Sequence, residues 1–193
     1  MVILVVIGIV PSFIVKNVVV NSYETRAVSI REVNLKNQCD ILGNQLMKEN
    51  YLREPDSDVI NGELSMLSAI YNGRILIINK DAKIIKDTYD IDVGKYALSE
   101  EVIQCFEGKS TANYDDKNAY IEMTSPITKM DSNTIEGVML VSISTSEIED
   151  SIDMLENRGN LLLSIICILV LVLGYLLAGV LVKPFSRVTK AIE

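Results

Sequence analysis

With 193 residues, 26 acidic against 18 basic side chains and no histidine, the chain has room for one domain of roughly 100 to 150 residues beside any membrane helices. The lack of histidine excludes a His-dependent catalytic triad, a His metal site and a His phosphoacceptor within these residues. A net charge of −8 argues against nucleic acid as a partner, because phosphate contacts need clustered Lys and Arg.

Met1–Val15, MVILVVIGIVPSFIV, is apolar throughout and is followed by Lys16-Asn17. It lacks the basic start and small-residue cleavage site of a signal peptide, so it reads as a first membrane helix over residues 1–20, with Pro11 as a kink. Either Val18–Val20 complete the span while Lys16 snorkels to the headgroups, or further residues precede Met1.

Ser22–Leu52 reads as one long helix. Val28, Leu35 and Leu42 recur every seven residues, and Leu35, Cys39, Leu42 and Leu46 form one apolar seam. The seam serves either packing within the domain or a dimer contact. Arg53-Glu54-Pro55-Asp56 ends the helix, and Ser57 is the N-cap of a second helix reaching Ala69.

After Asn72-Gly73 the pattern turns to strands, Arg74–Asn79 and Lys83–Asp87, joined by a tight turn at Lys80-Asp81-Ala82. A short helix opens at Ser99-Glu100-Glu101 and closes at Gly108. Strands follow at Ser110–Tyr114, Ala119–Ile127 and Gly137–Ser144, with turns at Asp115-Asp116-Lys117 and Asp131-Ser132-Asn133. In the middle strand Tyr120, Glu122 and Thr124 alternate with Ile121, Met123 and Ser125, one face wetter than the other. Ser146 and Glu149 form a capping box that opens the last helix. The fold class is therefore α+β, a five-stranded antiparallel sheet flanked by helices.

Leu161–Val182, LLLSIICILVLVLGYLLAGVLV, carries no ionisable carboxylate or ammonium in 22 residues. As a helix of about 33 Å it matches the ~30 Å core of a bilayer and reads as a second span. Gly174 with Ala178 and Tyr175 with Gly179 have the four-residue spacing of close helix contacts, or face lipid. Lys183, Arg187 and Lys190 against Glu193 leave the tail at +2 and the rest of the chain at −10. The positive-inside rule then puts the tail in the cytoplasm and residues 21–160 outside.

Cys39, Cys105 and Cys167 show no CxxC spacing, so neither a disulfide framework nor a zinc site is signalled. Cys39 and Cys105 read as unpaired apolar residues, with a bridge between them as the alternative.

The phrases NGRILIINKDAKIIKDT, GKYALSEEVIQCFEGKST, AYIEMTSPI and EGVMLVSIST, set after a span and a long helix, carry a family resemblance. The layout resembles the extracytoplasmic PAS-like (Cache-type) sensor domain of bacterial two-component histidine kinases, most of all the phosphate-regulon and cell-wall sensor kinases of low-GC Gram-positive bacteria. The tail VKPFSRVTKAIE is similar to the start of a HAMP domain, with Pro184 opening a helix. The resemblance implies a PAS-like sheet domain over residues 21–157, a span over 161–182 and the start of HAMP over 183–193. It implies a homodimeric receptor in the cell membrane, relaying a signal through Lys183, Pro184, Phe185, Val188 and Ile192 to a cytoplasmic kinase and its response regulator. No phosphoacceptor box or ATP-binding domain lies in these residues, so ATP and Mg belong only to a longer parent, and the chain itself is expected to need no cofactor. A chemoreceptor or cyclase receptor with the same outer domain is the alternative. A stand-alone adhesion or scaffolding protein is a third, which the HAMP-like tail argues against.

Cache-type pockets imply a small carboxylate or amino acid held by polar and aromatic side chains, here Arg74, Tyr89, Tyr96, Tyr114 and Tyr120. Tyr is equally an ordinary half-buried strand residue, and some such domains answer a protein partner or envelope stress instead. Asp87, Asp90 and Asp92, with Asp115-Asp116 and Gly94, lack the spacing of an EF-hand loop and read as a solvated acidic rim.

Overall fold

A computed structural model of the chain describes residues 2–129, 132 and 134–189, with side chains from 8 to 177 within those bounds. The chain divides into two compact units, Ala27–Glu149 and the pair of segments Met1–Arg26 and Asp150–Glu193.

The first unit is built on a five-stranded antiparallel sheet with the order β2-β1-β5-β4-β3. The strands are β1 (Gly73–Asn79), β2 (Ile84–Asp87), β3 (Ala112–Asp115), β4 (Tyr120–Thr128) and β5 (Ile135–Ser144). The helices are α1 (Val2–Lys48), α2 (Asp58–Ile70), α3 (Glu100–Phe106) and α4 (Ser146–Thr189). The division between the units falls inside α1 and α4. The α+β class and the long N-terminal helix are as expected from the sequence. The expected Ser22 start is not a boundary, since α1 runs without a break from the apolar stretch.

Val28, Leu35, Cys39, Leu42 and Leu46 are all buried, so the seven-residue seam of α1 is consumed within its own domain. Ile30, Val33 and Ile41 are the apolar residues that α1 leaves exposed here. Ser57 caps α2 as the sequence predicts, its Oγ accepting the Ile60 N–H at 3.4 Å. Gly108, at φ +90°, closes α3, with the Lys109 N–H donating back to the Gln104 carbonyl at 3.0 Å.

The capping box at Ser146 is corrected. Thr145 takes the cap position, its carbonyl accepting the Glu149 N–H at 3.1 Å. Ser146 is the first helical residue, its hydroxyl 3.0 Å from that of Ser144. Of the turn expected at Asp131-Ser132-Asn133, Asp131 and Asn133 lie outside the described residues. The Cys39–Cys105 alternative is also removed, as both thiols are free and buried.

One face of the sheet presents Ile75, Ile77, Ile121, Met123, Met139, Val141 and Ile143, all buried, and α2 packs on it at β1. On the opposite face Leu76, Ile78, Ile84 and Val138 form a core with Val102 and Cys105 of α3. The chain's own loop bonds to the start of β2 on its outer side. Ile84 N–H donates to the Lys95 carbonyl, Gly94 N–H to that of Ile84 and Ala97 N–H to that of Ala82, each at 2.8 Å.

Ser146–Leu177, which enters the second unit at Asp150, includes the one helical stretch among the described residues that is long and apolar enough to cross a membrane, and only 6% of its apolar window is buried. Phe13, Ile14, Val15, Val18 and Val19 of α1 are likewise exposed. Gly174 is buried and Tyr175 is 78% exposed. The side chains of Ala178, Gly179, Lys183, Pro184, Phe185 and Val188, and the whole of Ile192, lie outside the described residues. The backbone of α4 stays helical to Thr189, so Pro184 falls inside this helix and does not open a new one.

Candidate functional site

Cross-strand register assembles the site. Arg74 of β1 pairs with Ser142 of β5, Ser142 with Glu122 of β4, and Glu122 with Asn113 of β3. Directly opposed residues point to the same side, so these four make one polar row across the α3 face. The Ser142 hydroxyl donates to Glu122 Oε2 at 3.1 Å. The neighbouring row toward α3 carries Thr124, Leu140, Leu76 and Asp87. The face thus changes from apolar under α3 to polar beyond it.

Arg74 and Asp87 form the densest electrostatic feature. Arg74 Nε and Nη2 donate to Asp87 Oδ1 at 3.0 Å and Oδ2 at 2.5 Å, and Nη2 also reaches Asp92 Oδ2 at 2.6 Å. Asp87 further accepts the backbone N–H groups of Tyr89, Ile91 and Asp92, each at 2.9 Å. Burial pushes the Asp87 carboxyl toward its neutral form, but Arg74 and these three donors overcome that and hold it well below the usual carboxylate range. Its side chain is 0% exposed. The solvated acidic rim expected from Asp87, Asp90 and Asp92 is therefore wrong at Asp87, which is a buried knot tying β1 to the loop after β2. Asp90, 76% exposed and 3.5 Å from Lys86 Nζ, fits that expectation, as does the exposed Asp116.

The structure does not gather the five expected ligand residues into one pocket. Arg74 lies 6.0 Å from the Tyr89 ring centroid, and its charge is already met by two carboxylates. That leaves it poorly placed to take a ligand carboxylate. Tyr96 is 67% exposed, bridged to Lys83 outside β2. Tyr114 and Tyr120 do come together, in an open cavity of about 440 Å³ that also has Glu101, Asp115, Glu122 and Lys117 in its wall. The side chain of Asn118 and its backbone N–H, with help from Lys117 and Tyr120, hold the Asp115 carboxyl below its ordinary range. Carboxylates outnumber cations in this wall, so the cavity suits a ligand with a positively charged group.

No protein-family model and no curated protein matches the chain. Three solved structures that it is similar to are sensor or ligand-binding domains. The sensor domain of the V. cholerae histidine kinase DctB superposes with a TM-score of 0.46 at 14% identity, over 69% of this chain and 59% of that one. The ligand-binding domain of the Campylobacter jejuni chemoreceptor Tlp3, solved with L-valine, gives 0.45 at 14% identity, over 69% and 60%. The E. coli DcuS sensor domain gives 0.35 at 14% identity, over 60% and 98%. The chain thus spans about three fifths of the first two.

Glu122, Ser142, Asn113 and Glu101 were not singled out from the sequence. Glu122 and Ser142 could have been, since Glu122 is the one charged residue of β4 and Ser142 breaks the apolar run Val138–Val141 of β5 with a hydrogen-bonding side chain. Their meeting depends on β4–β5 register, which no local pattern encodes. Among the described residues no group of three or more His, Cys, Asp and Glu is placed to hold a metal ion.

Proposed function

We propose that the chain is the input portion of a membrane-bound two-component sensor histidine kinase, acting as a homodimer with its sheet domain outside the cell. The observation that carries this reading is that α1 and α4 each run unbroken between the sheet domain and an apolar, exposed helical segment. Exposed apolar residues along both segments suit lipid and not water. A helix passing from a domain into a bilayer without a joint conveys a shift or rotation to the far side, and a coupling of about 1 to 3 kcal/mol is enough to change output several-fold.

The cavity at Tyr114, Tyr120 and Glu122 is the proposed sensing site, its excess of carboxylates favouring a small ligand with an amino or other cationic group. Lys183, Pro184, Phe185, Val188 and Ile192 are proposed to begin the relay on the inner side. The kinase chemistry, with its ATP and Mg, would reside in a longer parent. A chemoreceptor or cyclase receptor could use the same input. Sequencing the reading frame beyond Glu193 separates them: a helix with a phosphoacceptor histidine and then an ATP-binding domain is expected, and a methyl-accepting or cyclase domain would overturn the kinase reading. Reporter fusions that place Asp90 in the cytosol would overturn the topology.

A further inference from the structure

We infer that the cleft between the two apolar helices is a binding site for one anionic phospholipid, with Lys16 and Arg158 at its polar mouth. The inference rests on the membrane reading above. The cleft, about 470 Å³, is walled by apolar side chains such as Val15 and Val19 of α1 and Leu162 and Ile166 of α4, and Lys16 and Arg158 line it too. Lys16 directly follows the first apolar run and Arg158 stands three residues before the second, so both cations belong at the same bilayer surface.

No carboxylate lines the cleft, and among the described residues neither cation has an ion pair. Lys16 Nζ donates to Asn160 Oδ1 at 2.7 Å, which fixes the ammonium and leaves two of its three N–H groups to spend. Gly159 makes room for this. A Cβ there would lie 2.8 Å from Lys16 Cγ, so the bare residue lets the lysine stem cross α4. Farther in, the Ser12 hydroxyl donates its one O–H to the Gly8 carbonyl at 2.9 Å, so it has no donor left for an anionic group deep in the cleft.

An occupant must therefore be apolar along its length and anionic at one end. A phospholipid meets both conditions, one acyl chain along the wall and its phosphate between the two cations. An apolar helix of another protein would cover the wall and leave both charges unmatched, which makes it the poorer occupant.

The test uses the full chain reconstituted in phosphatidylcholine vesicles containing a minority of phosphatidylglycerol. Resistance to alkaline carbonate extraction is scored first, and lipid co-purifying with the chain is then quantified by mass spectrometry. Enrichment of phosphatidylglycerol over the bulk ratio is expected, falling about fivefold for each of Lys16→Gln and Arg158→Gln. Gly159→Leu should lower it with both charges retained, because the lysine stem is displaced. Phosphatidylglycerol at its bulk ratio would overturn the inference while leaving the membrane reading intact. Enrichment lost in the charge variants but kept in Gly159→Leu would also overturn it, showing diffuse attraction and no built site. A chain stripped by carbonate would overturn the membrane reading and the inference together.

Discussion

Replacing Asp87 by Ala is the sharpest test of how this domain is held together. The change removes both Arg74 contacts and leaves the N–H groups of Tyr89, Ile91 and Asp92 without their acceptor. Removing one member of a buried ion pair costs about 3 to 5 kcal/mol, and each stranded donor adds to that. Arg74 is 27% exposed and keeps Asp92, so part of the loss is recovered through water, and about 4 kcal/mol is expected. Against a domain stability of roughly 5 to 15 kcal/mol that is severe, lowering Tm by about 10 to 20 °C. The assay is urea and thermal unfolding of the full chain in detergent, followed by the near-UV circular dichroism of its tyrosines. The pH dependence has a defined sign. The folded carboxyl lies below its ordinary 3.8, so its stabilisation is complete above pH 3.8 and is lost as pH falls through the depressed value. Asp87→Asn should therefore be less stable than the parent at neutral pH, with the gap closing below pH 3.8. A destabilisation under about 1 kcal/mol for Asp87→Ala, or a gap that widens in acid, would refute the buried-knot account.

Other consequences are open to direct measurement. Gly73→Ala should destabilise by about 2 to 4 kcal/mol in chemical unfolding, because a Cβ there would sit 2.5 Å from the Ser142 carbonyl oxygen and β1 cannot withdraw without breaking register. Ala119→Gly should stabilise by about 1 kcal/mol in the same assay, since Ala119 holds φ +54° in the left-handed region that penalises a Cβ. Leu35→Ala should cost about 2 to 5 kcal/mol, whereas Ile41→Ala, on an exposed position of α1, should leave monomer stability within about 0.5 kcal/mol. Burial pushes the Cys39 thiol up to about 12, so thiol titration at neutral pH should find it silent until the domain is unfolded.

Local chemistry made most of the elements legible. Ser57 before α2, Gly108 after α3 and the β-branched run of β1 each announce themselves within a few residues, and the structure puts those boundaries within two residues of expectation. What stayed hidden is non-local. Asp87 looks like a surface acid beside Asp90 and Asp92 until β1 brings Arg74 under it from thirteen residues away. The five aromatic and basic candidates fell into separate groups because their strands lie at opposite sides of the sheet, Tyr89 beyond β2 and Tyr114 on β3. The α1 seam could be read from its spacing, but its partner could not, because a seven-residue repeat describes a stripe and not what covers it.

The loop from Gly94 to Ala97 does more than connect β2 to α3. By spending its own amides and carbonyls on Ala82 and Ile84, it occupies the start of a four-residue margin strand and shortens the ladder an incoming chain could extend. The other margin, β3, is as short, and its sequence Ala-Asn-Tyr-Asp is poor in the residues that template fibrous growth. Copies crowded side by side are thereby steered away from strand-to-strand polymerisation, and ordered association is left to the helices.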